Sequence, residues 1–93
     1  MAVYSRVRIV IQGRVQGVNF RWETMTVAQQ RGVRGWVRNR PDGNVEGMFE
    51  GASDAVESLI TWCHQGPALA DVRKVDLQYE AYKGEFDRFQ ILR

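Results

Sequence analysis

The strongest constraint on this chain is the order of its hydrophobic periods: two, then 3.6, then two and two again, then 3.6, then two, all within 93 residues. From Tyr4 to Gln12 the side chains alternate, Val7, Ile9 and Ile11 on one face and Arg6, Arg8, Val10 and Gln12 on the other, which is the pattern of a half-buried strand. Gly13 to Asn19 breaks the alternation. Phe20 to Arg31 then reads as a helix with Asn19 as N-cap, Gly32 as its stop, and Phe20, Thr24, Val27 and Ala28 on its apolar face. Arg34 to Asn39 and Asn44 to Glu50 read as strands. Between them, Arg40-Pro41-Asp42-Gly43 supplies the fixed φ of proline and the positive φ of glycine that a tight turn needs. A second helix begins near Ser53 or Asp54, which compete as N-cap, and spaces Val56, Leu59, Ile60 and Cys63 at i, i+3, i+4, i+7 before Gly66-Pro67 ends it. Val72 to Tyr82 is a fourth strand, with Val75, Leu77 and Tyr79 on one face, and Arg88 to Leu92 a short last one.

Strand, helix, strand, strand, helix, strand is the split βαβ order. It predicts an α+β, ferredoxin-like βαββαβ sandwich spanning residues 1–93 as a single domain: a mostly antiparallel sheet, an extra C-terminal strand, and two helices on one face. In that arrangement the first and second strands run parallel through a right-handed crossover and the third inserts between them. Their carboxyl ends then emerge on the same edge of the sheet, roughly 10 Å apart. The segment Gly13 to Arg21 follows one of those ends and Asn39 sits at the other, so two stretches distant in sequence can face one small ligand.

Composition narrows the chemistry. The chain has one cysteine, Cys63, and one histidine, His64, which removes disulfides, cysteine metal clusters, zinc hydrolase sites and histidine triads together. Hydrophobic residues at 44% and charged residues at 26% are those of an ordinary globular chain. Thirteen cations against eleven anions give only +2, yet eleven of the thirteen are arginine, the side chain suited to bidentate grip on an oxyanion. An anionic ligand fits; a net charge of +2 does not argue for nucleic acid. The amino terminus, Met1-Ala2-Val3-Tyr4-Ser5-Arg6, has no apolar leader and Ile9-Val10-Ile11 is far too short to span a bilayer, so a cytoplasmic protein with no membrane partner is expected.

Gly13-Arg14-Val15-Gln16-Gly17-Val18-Asn19-Phe20-Arg21 joins a strand to the amino end of a helix, where unpaired N–H groups and the positive end of the macrodipole favour an anion. The glycines allow the backbone to curl into a nest of N–H groups. Arg21, a cation in the first helical turn, opposes the macrodipole, and a shared anion would relieve the conflict. Spacing alone leaves open the plainer reading of a simple connection with a solvated arginine. The loop is neither a Walker A sequence nor Gly-x-Gly-x-x-Gly.

The same nine residues resemble the acylphosphatase loop, Gly-x-Val-Gln-Gly-Val-x-Phe-Arg, at every fixed position. Gly35-Trp36-Val37-Arg38-Asn39-Arg40-Pro41-Asp42-Gly43-Asn44-Val45, with Gly51 beyond it, is similar to that family's second signature. The resemblance covers nearly the whole chain. It implies hydrolysis of the carboxyl–phosphate bond of acyl phosphates to a carboxylate and inorganic phosphate, with no metal, no cofactor and no phosphoenzyme. By position it implies that Arg21 grips the phosphoryl oxygens, that backbone N–H groups of Val15, Gln16, Gly17, Val18, Asn19 and Phe20 complete the cradle, and that Asn39 orients the attacking water. Physical reasoning is compatible with this. Phosphoryl transfer rests on positioning and charge stabilisation, and a carboxylate leaving group with a conjugate-acid pKa of about 4 departs without a general acid.

Each residue also has a plainer reading. An asparagine before a turn commonly bonds local backbone, Asp42 and Gly43 belong to the turn, Cys63 to the core and His64 to the surface, while Trp36 and Trp62 pack. Arg38 and Arg40 read by default as a solvated hairpin surface, the alternative being added positive potential near the site, and the ten arginines other than Arg21 as setting the pI of 9.0 and little else. Two other functions compete. An RNA-recognition module shares the element order, but its third strand would here carry Glu46 and Glu50 toward the phosphate backbone. A non-catalytic or carbamoyl-phosphate-handling acylphosphatase-like domain is the other. The expected partners are a small acyl phosphate and inorganic phosphate, with no nucleic acid, bound by a monomer.

Overall fold

A computed structural model describes residues 3–93; Met1 and Ala2, the start of the stretch read for an apolar leader, lie outside the described residues. The elements are β1 (Tyr4–Arg14), α1 (Phe20–Gln30), β2 (Arg34–Asn39), β3 (Val45–Ala52), α2 (Ser53–Gln65), β4 (Asp71–Glu80) and β5 (Phe89–Ile91). They form one sheet in the order β4-β1-β3-β2-β5, antiparallel at β4–β1, β1–β3 and β3–β2 and parallel at β2–β5. This is the expected ferredoxin-like sandwich with its extra strand, placed at the β2 edge.

The register shows why the core forms on one side. Ile11, Ile9 and Val7 sit opposite Val45, Gly47 and Phe49, which in turn sit opposite Asn39, Val37 and Gly35. Period two therefore gathers Val7, Ile9, Ile11, Val37, Val45 and Phe49 on one face, all essentially sealed from solvent. Both helices cover that face, α1 through Phe20, Thr24 and Ala28 and α2 through Val56, Leu59, Ile60 and Cys63. Burial pushes the Cys63 thiol up, so it stays a protonated core group. His64 is exposed and its Nδ1 lies 3.0 Å from the Ile60 carbonyl oxygen.

Two helix caps differ from expectation. Asn19 occupies the N-cap position of α1, but at φ 68 its backbone is left-handed and its side chain makes no cap hydrogen bond, because capping geometry needs an extended backbone there. For α2 the N-cap is Ala52, and neither Ser53 nor Asp54 fills the role. Strand β3 runs straight into the helix, so the Ser53 hydroxyl meets that of Ser5 and the Asp54 carboxylate accepts from the adjacent Ala55 N–H at 2.8 Å.

The second face of the sheet carries charge. Arg6 lies opposite Glu50 in the register and reaches its carboxylate at 3.1 Å, with Glu80 at 3.1 Å and Glu85 at 2.9 Å. Glu46 is held at 2.6 Å by both Arg8 and Arg38. Arg6, Glu46 and Glu50 are buried. Residues 81–88 connect β4 to β5 across this side, and the N–H groups of Lys83, Gly84 and Glu85 all donate to the Glu50 carboxylate. Arg6, Arg8 and Arg38 are therefore structural ion-pair partners, which for Arg38 corrects its reading as a solvated surface residue. Arg40 pairs instead with Asp42, at 2.8 Å.

Candidate active site

The loop between β1 and α1 is shaped by glycine chemistry at two points. At Gly13, φ is 127 and a Cβ would stand 2.1 Å from the Asp71 carbonyl oxygen, so only glycine permits the bulge where β1 shifts register against β4. Gly17, at φ 74, and Asn19, at φ 68, are both left-handed and turn the backbone twice within three residues. The first helical hydrogen bond of α1 runs from Glu23 N–H to the Asn19 carbonyl at 3.1 Å, and no side chain caps the N–H groups before it. These groups open toward the loop with the positive end of the helix behind them.

Beside the loop lies an open cleft of about 1060 Å³. Its lining includes Val15, Gly17, Val18, Asn19, Phe20 and Arg21 from the loop and first turn, and Asn39 from the end of β2. The sheet order explains the meeting: β1 and β2 are parallel with β3 between them, so their carboxyl ends share an edge. Val15 and Phe20 are buried and anchor the loop to the core, Phe20 packing edge-on to Trp62 at 5.6 Å. Among the described residues Arg21 makes no ion pair or side-chain hydrogen bond, and neither does the side chain of Asn39. The plainer reading of Asn39, a bond to local backbone, is thus not what the fold uses. The turn is closed without it, by Gly43 N–H to the Arg40 carbonyl at 3.1 Å and Asn44 N–H to Asp42 Oδ1 at 3.0 Å.

Gln16 stands apart from the rest of the loop. It is not in the cleft lining, and its amide nitrogen donates to the carbonyls of Arg40 at 2.8 Å and Asn44 at 3.0 Å. One side chain thus ties the loop to the turn that follows Asn39. Sequence reasoning also missed part of the cleft. Pro67, Ala68 and Leu69, which follow α2, and Ile91 and Arg93, at the end of the chain, line it as well, as do Trp22 and Glu23 of α1. Gly66-Pro67 was legible only as a helix stop. Trp22, next to Arg21, was the one available hint. No group of three or more His, Cys, Asp or Glu among the described residues could hold a metal ion, and no helix among them is long and apolar enough to cross a membrane.

Comparison with known proteins bears on the family and the fold. The acylphosphatase family model matches residues 7–91. The acylphosphatase of Pelotomaculum thermopropionicum is 51% identical over 87 residues, covering 94% of this chain and 95% of that protein. Among solved structures, the acylphosphatase from Bacillus subtilis superposes with a TM-score of 0.92 at 34% identity, covering 96% of this chain and 99% of that one. HypF from T. kodakarensis superposes with a TM-score of 0.79 at 28% identity, but this chain spans only 12% of it. The family model over most of the chain, the 51% identity and the shared fold make this chain a member of the acylphosphatase family.

Proposed function

We propose that residues 1–93 act as one catalytic unit that hydrolyses the carboxyl–phosphate bond of acyl phosphates, with Arg21 and Asn39 as its catalytic side chains. The observation that carries this division of labour is the convergence of unpartnered Arg21, unpartnered Asn39 and the uncapped start of α1 on one cleft. The phosphoryl group sits in the curl of the loop, where N–H groups of residues 15–20 and the Arg21 guanidinium share its charge. Asn39 holds a water in line with the scissile bond. The water oxygen bonds to phosphorus, the bond from phosphorus to the carboxyl oxygen breaks, and its electron pair leaves with the carboxylate. A water proton passes to a phosphoryl oxygen, so the products are a carboxylate and inorganic phosphate. No protein acid or base takes part, consistent with a leaving group whose conjugate acid has a pKa of about 4. The reading takes a monomer in the cytoplasm, acting without nucleic acid or cofactor.

The test is hydrolysis of benzoyl phosphate by the purified chain in excess chelator, with sizing in solution alongside. Turnover that survives the chelator is expected. Turnover that vanishes with removal of metal sinks the mechanism, and a dimer that alone is active sinks the monomer.

A further inference from the structure

Phe20 is where the phosphate loop meets the core. Its N–H belongs to the uncapped start of α1, and Arg21 follows it directly. Its ring is buried, and its carbonyl accepts from the buried Thr24 hydroxyl at 2.7 Å. Two groups at the end of α2 close around the ring. Trp62 meets it edge-on, with ring centroids 5.6 Å apart. On Gly66, which ends α2 at φ 69, a Cβ would stand 2.5 Å from Phe20 Cε2 and 3.2 Å from Cζ, with the Ala70 methyl 3.3 Å away. A methyl there overlaps the ring, and because Trp62 flanks a ring already buried, the relief falls on the Phe20 backbone. Gly32, just after α1, offers the contrast. Its φ is also 69, yet a Cβ on it would meet nothing within 4 Å. A left-handed backbone is the whole reason for glycine at position 32; at position 66 the Phe20 ring is a second one.

We infer that Gly66 and Trp62 are positioning residues for phosphate binding: together they seat the Phe20 ring, and the seat sets where the first N–H groups of α1 and the Arg21 guanidinium stand. The inference rests on the proposed grip of the loop and Arg21 on the phosphoryl group. Neither Gly66 nor Trp62 lines the cleft, so both act through Phe20. The end of one helix thereby fixes the start of the other. An oxyanion shared among several fixed donors responds steeply to such a shift, since a displacement of about 1 Å costs on the order of 10²-fold in rate.

The experiment sets Gly66→Ala against Gly32→Ala, reading the urea midpoint, the inhibition constant of inorganic phosphate, and kcat and KM for benzoyl phosphate. Both variants should lower the midpoint, because both strain the same backbone conformation. Only Gly66→Ala should weaken phosphate inhibition about tenfold and lower kcat/KM about 10²-fold, with Gly32→Ala within about twofold of the unaltered chain in both. Leucine in place of Phe20 lacks the ring atoms that the new methyl meets, so adding Gly66→Ala to Phe20→Leu should change phosphate inhibition by less than about twofold. Trp62→Leu opens the seat from its other side and should weaken phosphate inhibition about threefold to tenfold; it carries the test if Gly66→Ala does not fold. Unaltered phosphate inhibition in Gly66→Ala, or in Trp62→Leu where the first does not fold, overturns the seat and leaves Gly66 a helix stop. Equal losses in Gly32→Ala, or an undiminished loss in the Phe20→Leu background, overturn it as well. An unaltered chain that neither hydrolyses benzoyl phosphate nor binds phosphate overturns the hydrolase reading and the seat with it, whereas an active chain indifferent to Gly66→Ala overturns the seat alone.

Discussion

The two faces of the sheet use arginine in opposite ways. On the face away from the helices, Arg6, Arg8 and Arg38 each meet a carboxylate within 3.1 Å, and Glu46 and Glu50 are buried beneath them. At the carboxyl ends of β1 and β2, Arg21 faces an open cleft with no protein partner among the described residues. A matched arginine contributes to holding strands together, whereas an unmatched one at the start of a helix carries an electrostatic conflict that an anion resolves. The number of arginines says little about function here; their pairing separates fold from site.

Substitutions can break this contrast. The largest effect is expected at Arg21. Arg21→Ala should cut kcat/KM for an acyl phosphate by roughly 10⁴-fold and weaken competition by inorganic phosphate. Its stability in urea should stay within about 0.5 kcal/mol. Near-normal turnover in that variant would remove the cation from the mechanism. Glu50→Ala should do the reverse, costing about 3–5 kcal/mol of stability by removing one buried carboxylate partner of Arg6 and the acceptor of three N–H groups, while kcat of the folded fraction persists. Loss of turnover without loss of stability would erase the division between the two faces.

Acid probes the same face. Burial alone pushes the Glu50 carboxyl up, but the N–H groups of Lys83 and Glu85 and the Arg6 guanidinium more than offset this and leave it below the ordinary range. Glu46 behaves alike, burial opposed by Arg38 and Arg8. Folding thus favours both charged forms. The stability they supply is complete above the unfolded value, about 4.3, and drains as pH falls through the lowered folded values. Stability measured from pH 6 to pH 2 should fall for the unaltered chain, and the curve for Glu50→Ala should be flatter over that window.

Smaller effects sharpen the site. Asn39→Ala should lower kcat by roughly 10²–10³-fold and leave the phosphate inhibition constant within about twofold, since Asn39 is assigned to the water. Kinetics that change only in KM would reassign it to binding. Gln16→Ala should cost about 1–2 kcal/mol in lost hydrogen bonds and lower kcat about tenfold by letting loop and turn move independently. A stability loss with unaltered kcat would make the Gln16 amide a structural tie alone.

Much of this arrangement was legible in the residues because its causes are local. The bounds of β2 follow from alternation and the Pro41–Gly43 turn, and the loop from its glycines and Arg21. The buried face of α2 follows from the spacing of Val56, Leu59, Ile60 and Cys63. What stayed hidden depends on pairing between distant segments. Val45 to Glu50 is buried at every position because β3 is central, with helices on one side and ion pairs and the 81–88 connection on the other. Glu46 and Glu50 disguised that in the sequence as one wet face. Which arginine meets them depends on register, with Arg38 opposite Glu46 and Arg6 opposite Glu50. The cap of α1 failed for a related reason: Asn19 is placed by the loop, and its left-handed backbone leaves the N–H groups uncapped.

The cleft draws on the ends of β1, β2 and β5, the start of α1 and the segment after α2, so its residues run from 15 to 93. No fragment that lacks either Val15 or Arg93 contains all of it. Forming it requires β3 to insert between β1 and β2 and β5 to dock on β2, pairings that close long loops and are slow for that reason. A refolding chain should therefore recover secondary structure before it recovers turnover. In stopped-flow refolding, hydrolysis is expected to return with the slowest phase and in step with the burial of Trp62 against Phe20. The order of strands that assembles this cleft also delays its appearance: a half-folded molecule has the loop but not yet the Asn39 that the proposed mechanism requires opposite it.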